Sequence, residues 1–290
     1  MLNALTIDVE DYFMVSAFED VVKFENWNRY ESRVEKNTHR ILDLLDEYDV
    51  KATFFVLGWV AEQSPKLVKE IYHRGHEVAS HGYAHQLVYT QTPDGFREET
   101  RKAKNILEEI TGELITGYRA ASYSIIKKNI WALDILIEEG FQYDSSIFPI
   151  RHDRYGIPES QRFPYIINNK AGSIREYPLS TIRLYNKVNL PIAGGGYLRL
   201  FPYTITKWGI ERLNLRENQP AIVYTHPWEI DPDQPRIRGK ILSRLRHYTK
   251  LRTMEGTLRK LLADFKFVPI RMLDSKLSHL QLSNNEVKST

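Results

Sequence analysis

The pattern of hydrophobic and polar positions alternates between two periods along the first half of the chain. Short apolar runs rich in β-branched and aromatic residues predict buried strands, and longer stretches with apolar residues three or four positions apart predict amphipathic helices. The predicted strands are Leu5 to Ile7, Ala52 to Val56, Glu77 to Ser80, a strand ending at Tyr118, and Phe141 to Tyr143. The predicted helices are Thr38 to Tyr48, one from Ser64-Pro65 to Gly75, one from Thr92-Pro93 to Thr111-Gly112, and Asn129 to Glu139.

The order of these elements predicts the fold class. Helix, terminator and strand follow each other in DEYDVKATFF, HRGHEVAS and EEGFQYDS, as they do in sequential βα units of a parallel sheet. We therefore predict an α/β fold, either a (β/α) barrel or an open sheet. In both arrangements the catalytic side chains gather at the carboxyl ends of the strands. Polar residues do follow the predicted strands, namely Asp8, His81, Arg119, Asp144 and His226.

The helical period disappears between about residues 151 and 202, where Pro, Gly and extended runs such as REYPLS and GGGYLRLFP replace it. We predict an insertion of β-hairpins and loops within a single catalytic domain of residues 1–275. The three glycines at 194–196 indicate a close approach of the backbone to a ligand or a tight hairpin. A late strand, Ala221 to Tyr224, and a final helix, Thr253 to Asp264, restore the βα pattern, and residues 276–290 form a polar tail.

Composition narrows the chemistry. The 290 residues include no cysteine, which excludes disulfide scaffolds, thiol nucleophiles, zinc fingers and iron–sulfur centres, so any metal must be held by His, Asp or Glu. The 40 Lys and Arg residues nearly cancel the 37 Asp and Glu residues for a net charge of +3, which argues against a dedicated nucleic-acid binder. The 17 tyrosines and 5 tryptophans include rings that can stack on sugars, although most such rings are ordinary core or surface residues.

The chain contains no predicted transmembrane segment. Its longest uncharged apolar run, Ala52 to Ala61, is roughly half the length that a bilayer-spanning helix requires. The N-terminus, MLNALTIDVEDYF, reaches acidic residues at once and lacks the basic and then apolar layout of a signal peptide. The expected compartment is therefore the cytoplasm, while peripheral attachment to the inner membrane and a homo-oligomeric state stay open.

Two histidines four residues apart, His81 and His85 in SHGYAH, are the strongest local signal for a metal site. On one face of a helical turn both imidazoles reach a single ion, although a solvent-facing pair has the same spacing. Three carboxylates, Asp8, Glu10 and Asp11, follow the first strand. With Glu10 or Asp11 as the third ligand, the site has two histidines and one carboxylate; with zinc it activates water for hydrolysis, and with iron(II) it binds oxygen.

Further residues are expected to complete a hydrolytic site around this metal. Asp8 is predicted to be a general base, and Arg119 in GYRAAS would hold that base ionised through a charge-assisted hydrogen bond. His226 in VYTHPWEID would be the general acid, with Asp144 in YDSSIFP orienting or charging it. Each assignment has an alternative: a surface ion pair for Arg119, a helix cap for Asp144 and a core histidine for His226.

The order of these motifs resembles the NodB-like polysaccharide deacetylases, carbohydrate esterase family 4. TIDVED is similar to the family's first aspartate motif, SHGYAH to its first histidine motif, GYRAAS to its arginine motif, YDSS to its second aspartate motif and VYTHP to its last histidine motif. The resemblance implies a distorted or incomplete (β/α) barrel. It also implies that Asp8 is the catalytic base, that His81 and His85 bind the metal, that Arg119 tethers the base and that His226 is the acid.

The chain departs from the family pattern at two positions. Val9 occupies the place of the usual second aspartate. The resulting acid-x-acid arrangement is similar to that of the peptidoglycan deacetylase-like and allantoinase-like members of the family, and this similarity favours Glu10 over Asp11 as the ligand. Ala121 stands where proline is common, which predicts a softer loop after Arg119. The GGGYLRLFP and HPWEIDPDQPRI segments resemble a subgroup found with bacterial exopolysaccharide and exosortase gene clusters.

The resemblance predicts metal-dependent hydrolysis of N-acetyl groups from amino sugars of a bacterial polysaccharide, either an exopolysaccharide or peptidoglycan-like, or of its precursor. Zinc is the expected metal, with cobalt or nickel as alternatives. Backbone N–H groups near Ala121 and Ser122 are expected to stabilise the oxyanion, and Tyr123, Tyr197 and Trp228 are expected to contact the carbohydrate. Two rival hypotheses are hydrolysis of another C–N bond, such as that of a cyclic ureide, and a carbohydrate-binding pseudoenzyme.

Overall fold

One large sheet with helices packed around it organises the molecule. The computed structural model describes residues 1–185, 187–192 and 194–273 of the chain. The strands are β1 (Leu2–Val9), β2 (Thr53–Val56), β3 (Glu77–Ser80), β4 (Gly117–Tyr118), β5 (Tyr143–Asp144), β6 (Tyr165–Asn169), β7 (Gly172–Glu176), β8 (Thr181–Leu184), β9 (Val188–Pro191), β10 (Ile222–Thr225) and β11 (Lys266–Val268). The helices are α1 (Val34–Glu47), α2 (Gly58–Gln63), α3 (Pro65–His73), α4 (Pro93–Thr111), α5 (Trp131–Glu138), α6 (Gly196–Leu200), α7 (Tyr203–Leu215), α8 (Ile241–Tyr248) and α9 (Leu251–Asp264).

The sheet is parallel except at one edge. Its strands follow the order β10-β1-β2-β3-β4-β5-β7-β6, in which only β6 runs antiparallel to its neighbour among the described strands. β11 pairs with the start of β1 and β2 pairs with its end, while β8 and β9 form a separate hairpin. Within the described residues no pairing joins β10 to β6, so the sheet stays open. The predicted α/β class, with an incomplete barrel, is confirmed.

Side chains of β1 alternate between two hydrophobic clusters, as the period of two in a strand requires. Leu5, Ile7 and Val9 belong to the larger cluster, which also contains the apolar faces of the surrounding helices. Ala4 belongs to a smaller cluster that is rich in aromatic rings. Asp8 lies four residues after Ala4 and therefore on the same face of the strand. The sheet thus directs its first catalytic candidate toward the aromatic cluster.

Helix boundaries follow the local signals from which they are predicted. α3 and α4 begin with Pro65 and Pro93 at their first positions, where a missing N–H costs no hydrogen bond. The hydroxyl of Thr92 accepts a hydrogen bond from the backbone N–H of Gly95 at 3.2 Å, which caps α4. α4 ends at Gly112, whose left-handed backbone (φ of 73°) suits glycine. The strand predicted at 77–80 has the same bounds in the structure.

The segment predicted as an insertion contributes to the main sheet. Its first hairpin, β6 and β7, extends the sheet because β7 pairs in parallel with β5. The extended conformation predicted for GGGYLRLFP is wrong, because Gly196–Leu200 form α6. A Cβ atom on Gly194 would lie 1.8 Å from the backbone O of Tyr224, so close packing against β10 decides the conformation there. The predicted domain end at 275 and the tail of residues 276–290 lie outside the described residues.

Several elements follow from packing that the periodicity does not reveal. The apolar run from Ala52 to Ala61 contains β2 and α2 in immediate succession, separated only by Leu57. α7 and α8 lie in stretches where no helix is predicted, and β11 adds a short strand beside the start of β1. β11 is three residues long, which is too short for an alternating pattern to be recognised.

Candidate functional site

Neighbouring parallel strands bring polar side chains to one edge of the sheet. β10, β1, β2, β3 and β4 are consecutive and parallel, so their carboxyl ends share that edge. Asp8 lies near the end of β1 and Glu10 just beyond it, while His81 follows β3 and His226 follows β10. All four side chains line a cavity of about 620 Å³. The convergence expected from the strand ends is therefore present.

Asp8 and Arg119 form a fully buried ion pair. Arg119 Nη1 donates hydrogen bonds to Asp8 Oδ1 at 2.6 Å and to Thr6 Oγ1 at 2.7 Å. Arg119 Nε and Nη2 donate to the backbone O and the Oγ of Ser145 at 3.1 and 2.8 Å. The guanidinium carbon also lies 4.1 Å from the centre of the Phe55 ring. Contacts on all sides fix the guanidinium, so the alternative of a surface ion pair is wrong for Arg119.

The charge of Asp8 follows from these neighbours. Burial alone would raise the pKa of the Asp8 carboxyl, because water no longer stabilises its charged form. Charge interactions with Arg119, His81 and His226, together with the hydrogen bond from Arg119, outweigh burial and lower the pKa of Asp8 below its usual value. Asp8 is therefore ionised at neutral pH, the state that a general base requires.

Glu10, His81 and His85 form a buried group whose potential ligand atoms lie within 4.8 Å of one another. His81 Nδ1 lies 2.8 Å from the backbone O of Arg119. Because a carbonyl oxygen only accepts, Nδ1 carries a proton, and because burial lowers the pKa of His81, the ring is neutral and Nε2 keeps its lone pair. Burial lowers the pKa of His85 to about 4, so that imidazole is neutral at pH 7. Both rings are therefore in the protonation state that metal ligands need.

Two buried atoms of this group support a cation site. Glu10 Oε2 and His85 Nδ1 have no hydrogen-bond partner among the described residues. Glu10 Oε2 lies 3.0 Å from His85 Nε2, but the contact lacks hydrogen-bond geometry. A buried carboxylate oxygen without a donor is unfavourable, and a divalent cation would satisfy it. Two imidazole nitrogens and one carboxylate oxygen form a donor set that accepts zinc, cobalt or nickel, so the residues fit such an ion.

The prediction that His81 and His85 share a helical turn is wrong, although their rings still meet. The segment between them is a loop in which Gly82 and His85 have left-handed backbones, with φ of 75° and 52°. The two ring centres lie 5.4 Å apart. A sharp loop after β3, rather than one face of a helix, therefore produces the proximity.

Of the two candidates for the third ligand, the structure brings Glu10 to the histidines and turns Asp11 away. Asp11 Oδ2 accepts hydrogen bonds from the backbone N–H groups of Arg33 and Val34 at 2.6 and 3.0 Å, and from Ser32 Oγ at 3.0 Å. These donors lie at the start of α1, where backbone N–H groups have no partner within the helix. Asp11 therefore anchors the N-terminus of α1.

His226 is surrounded by carboxylates. Its Nε2 lies 3.3 Å from Glu10 Oε1 and 3.8 Å from Asp8 Oδ2, and its Nδ1 lies 3.2 Å from Glu229 Oε2. Burial alone would lower the pKa of His226, but the charges of Glu10, Glu229 and Asp8 raise it to about 9. Among these protein groups the imidazole is protonated at neutral pH and can donate a proton into the cavity. The alternative of a plain core histidine is therefore wrong.

Glu229 is the carboxylate that orients His226, and Arg199 holds Glu229 in place. Arg199 Nε donates to Glu229 Oε1 at 2.7 Å. Burial alone would raise the pKa of Glu229, but Arg199 and His226 lower it to about 2. Arg199 Nη1 also donates to three backbone carbonyls around the end of α8, those of Arg246, His247 and Thr249. The guanidinium thus connects α8 to the residue behind His226.

The prediction that Asp144 orients His226 is wrong. Asp144 instead accepts hydrogen bonds from the hydroxyl and the backbone N–H of Ser146, at 2.5 and 3.2 Å. No helix begins there, so the helix-cap alternative is wrong as well. Asp144 is also the sheet partner of Glu176 on β7. Burial, followed by the charge of Asp144, raises the pKa of Glu176 well above its usual range. Asp144 therefore belongs to a buried carboxyl pair between β5 and β7.

The three aromatic residues predicted to contact carbohydrate, Tyr123, Tyr197 and Trp228, all line the cavity. Tyr123 follows Arg119 in a loop, and its own backbone is left-handed, with φ of 56°. Trp228 also makes two specific contacts. Its Nε1 donates a hydrogen bond to Glu10 Oε1 at 3.3 Å, and its ring stacks on His247 with ring centres 4.1 Å apart. Trp228 therefore positions Glu10 within the proposed metal group.

Sequence reasoning misses three residues that support the site, namely Thr6, Arg199 and Glu229. Thr6 has a signal, because it precedes Asp8 by two positions on the same face of β1. Glu229 also has one, since it follows His226 by three positions within the short 3₁₀ turn Pro227–Ile230. Arg199 has none, because it lies 30 positions from Glu229 and meets it only through the packing of α6.

Two family models match most of the chain. Residues 14–139 match the family model for polysaccharide deacetylase, and residues 145–274 match a domain of unknown function, DUF3473. A peptidoglycan-N-acetylglucosamine deacetylase of Bacillus cereus is 40% identical over 75 residues, which are 26% of this chain and 27% of that protein. Over the first three curated relatives, the matched stretches span 27% to 56% of the relatives' own lengths.

Solved structures show the same fold. A protein from Mycobacterium smegmatis assigned to the polysaccharide deacetylases aligns with a TM-score of 0.64 at 21% identity, over 97% of this chain and 91% of that one. Puue allantoinase aligns with a TM-score of 0.58 at 16% identity, over 93% of this chain and 87% of that one.

No helix in the described residues is long and apolar enough to span a bilayer. The resemblance inferred from the motifs is confirmed for residues 14–139, which match the polysaccharide deacetylase family, a family of hydrolases that act on amide C–N bonds.

Proposed function

We propose that this protein hydrolyses N-acetyl groups of amino sugars in a bacterial polysaccharide, or in its precursor, with the help of a divalent metal ion. The observation that carries the proposal is a single cavity lined by Asp8, by His226 and by the Glu10, His81, His85 group. A base, an acid and a set of cation ligands are the components that metal-assisted hydrolysis of an amide uses.

Glu10, His81 and His85 would hold the ion, with zinc the first choice and cobalt or nickel as alternatives. A divalent cation bound there polarises the acetyl carbonyl and increases the acidity of water. Trp228 keeps Glu10 in place through its indole N–H. Arg119 fixes the ring of His81 through its backbone carbonyl and the carboxylate of Asp8 through its guanidinium.

The remaining chemistry consists of two proton transfers, one to Asp8 and one from His226. Asp8 takes a proton from the attacking water, whose oxygen forms a bond to the acetyl carbon. His226 then donates a proton to the sugar nitrogen as the C–N bond breaks, so the products are acetate and a free amine. His226 Nε2 and Asp8 Oδ2 lie 3.8 Å apart. At this distance Asp8 can contact the attacking water while His226 contacts the nitrogen of the same amide group. Backbone N–H groups of Ala121 and Ser122 are the proposed additional stabilisers of the oxyanion.

The substrate class rests on the aromatic lining. Tyr123, Tyr197 and Trp228 line the cavity, but Tyr123 and Trp228 are buried and Trp228 stacks on His226 and His247. Tyr197 is the partly exposed ring of the three, so it is the one proposed to pack against the apolar face of a sugar. An exopolysaccharide or a peptidoglycan-like polymer is therefore the proposed source of the acetylated sugar. Hydrolysis of a cyclic ureide and binding without turnover are the alternatives that the experiment must separate.

Acetate release from N-acetylated oligosaccharides is expected from zinc- or cobalt-loaded protein, and it should fall to background after chelation and return when metal is added back. His81→Gln should abolish both metal binding, measured by mass spectrometry of the metal content, and acetate release. His73→Gln, which changes a histidine at the end of α3 away from the cavity, should affect neither. Ring opening of a ureide without acetate release would establish the first alternative, and saccharide binding without either product would establish the second.

Glu229→Gln is expected to lower kcat about 10- to 100-fold with little change in KM, because a neutral amide no longer orients and charges His226. Glu229→Asp should recover part of the loss, since it restores the negative charge. Asp144→Asn is the matched comparison, because the sequence predicts for Asp144 the role that the structure gives to Glu229. We expect Asp144→Asn to keep kcat within about threefold. The reverse order of effects would return the positioning role to Asp144.

A further inference from the structure

We propose that the surface around α8 docks on an anionic lipid bilayer and presents the mouth of the catalytic cavity to it. This surface, called the α8 patch below, consists of the exposed apolar residues Ile241, Leu242 and Leu245 and of the basic residues that flank them. As far as it concerns the substrate, the inference rests on the proposed function: it names a lipid-linked amino sugar as the substrate class. Binding to the bilayer is a separate property that can be measured without turnover.

Positive charge is concentrated in the α8 patch. Residues 234–254 contain seven Lys and Arg residues and no Asp or Glu: Arg236, Arg238, Lys240, Arg244, Arg246, Lys250 and Arg252. The whole chain carries a net charge of only +3, so the remainder is net acidic. All seven side chains belong to exposed residues, and within the described part of the chain only Lys240 forms an ion pair, with Asp20 at 2.6 Å. Such a cluster is attracted to anionic headgroups by about 1 kcal/mol per basic residue.

Apolar side chains lie among these charges instead of in the core. Ile241, Leu242 and Leu245 are 76%, 58% and 60% exposed, and they fall within one turn of the same helix face. Leu200, exposed at the end of α6, lines the cavity together with Leu242, and its backbone O accepts a hydrogen bond from Lys250 Nζ at 3.0 Å. Basic and large apolar side chains on one short amphipathic surface are typical of proteins that bind at the headgroup layer of membranes.

The α8 patch borders the catalytic cavity. Leu242, Arg246 and Leu200 line the cavity together with Asp8 and His226. A bilayer that contacts these side chains would lie directly at the opening through which a sugar must enter. A saccharide attached to a lipid could therefore reach the catalytic groups while its lipid remains in the membrane.

The α8 patch is also fixed to the catalytic residues. His247, on the inner face of α8, is buried and stacks on Trp228, which in turn donates to Glu10. Arg199 binds the carbonyls around the end of α8 and the carboxylate of Glu229 with the same guanidinium. These contacts hold the helix in one orientation, so docking at α8 sets the direction in which the cavity faces.

Co-sedimentation of the full chain with phospholipid vesicles tests this inference. The wild-type protein should bind vesicles with about 30% phosphatidylglycerol at least tenfold more tightly than pure phosphatidylcholine vesicles, and 0.5 M salt should remove most of the difference. Ile241→Gln/Leu245→Gln should weaken binding to the anionic vesicles roughly tenfold. Arg238→Gln/Arg244→Gln should weaken it roughly 25-fold, since each basic residue contributes about 1 kcal/mol, which corresponds to about fivefold in affinity. None of these four residues lines the cavity, so acetate release from a soluble oligosaccharide should be unchanged.

Leu114→Gln/Leu215→Gln is the matched control, because these leucines are 78% and 81% exposed and lie outside the α8 patch. The control should bind vesicles like the wild type. Failure of the wild type to bind anionic vesicles, or equal weakening by the control, would overturn the inference. So would a change of molecular mass in solution on Ile241→Gln/Leu245→Gln without loss of vesicle binding, which would identify the patch as a contact between copies of the chain. Because vesicle binding needs no turnover, absence of acetate release would refute only the proposed function.

Discussion

Asp8→Asn is expected to lower kcat for acetate release by about 10²- to 10⁴-fold, the contribution typical of a general base. The amide has nearly the shape of the carboxylate and can still accept the hydrogen bond from Arg119, but it cannot take a proton from water at neutral pH. Glu10, His81 and His85 are untouched, so metal binding should persist with the wild-type stoichiometry. Steady-state kinetics and metal analysis of the same preparation would measure both.

Asp11→Asn provides the matched control for this substitution. Asp11 is an equally buried carboxylate three positions further along, but its hydrogen bonds go to the start of α1. We expect this variant to lose stability, by about 0.5–2 kcal/mol as for other lost helix caps, and to retain kcat. Activity of Asp8→Asn within threefold of the wild type would exclude Asp8 as the base. A similar loss in both variants would point to a general disturbance of the β1 end instead.

Arg119→Met is expected to lower the free energy of unfolding by about 3–5 kcal/mol, as removal of one partner from a buried ion pair usually does. The substitution leaves the Asp8 carboxylate buried without its counter-charge, and it also removes the donors to Thr6 and Ser145. Lysine should not substitute well, because one ammonium group cannot reproduce four hydrogen bonds in the directions of the guanidinium. Urea unfolding followed by circular dichroism would measure the loss.

A double variant separates the charge effect from lost packing. Asp8→Asn/Arg119→Met removes both charges, so it should be more stable than Arg119→Met alone. If Arg119→Met does not fold, a folded double variant supports the same explanation. A single variant within 1 kcal/mol of the wild type, or a double variant no more stable than the single one, would show that the pair contributes little.

The convergence of Asp8, His81, Arg119 and His226 follows from the sequence because parallel strands end at one edge of a sheet. Hydrophobic periodicity is a local property, and it is sufficient to identify which polar residues follow the strands. Their assigned chemical roles stay predictions until the variants above are measured. Where the structure departs from expectation, as in the loop between His81 and His85, the deciding factor is backbone geometry that spacing alone does not specify.

Partnerships between distant residues required the folded chain. Asp11 and Glu10 are adjacent in sequence and equally acidic, yet the N-terminus of α1 takes one carboxylate and the two histidines take the other. Asp144 is the last residue of its strand, close to the place that the pattern predicts, but Glu176 lies beside it and Glu229 lies beside His226. Packing selects among equivalent carboxylates, because each pairs with whichever donors the neighbouring elements bring near.

The sequence alone thus determines a cysteine-free α/β protein with His and carboxylate groups at the strand ends. Residue type and the periodicity of strands and helices are local properties, so they can be recognised without the folded structure. Tertiary packing establishes which of those groups meet: Glu10 rather than Asp11, Glu229 rather than Asp144, and Arg199 from 30 positions away. Packing also leaves Ile241, Leu242 and Leu245 on the surface beside the cavity. The face of α8 that packs against the rest of the protein is the one that contains His247, so these three residues point away from it. Burial and long-range contact are properties of the whole fold, and no local stretch of sequence encodes them.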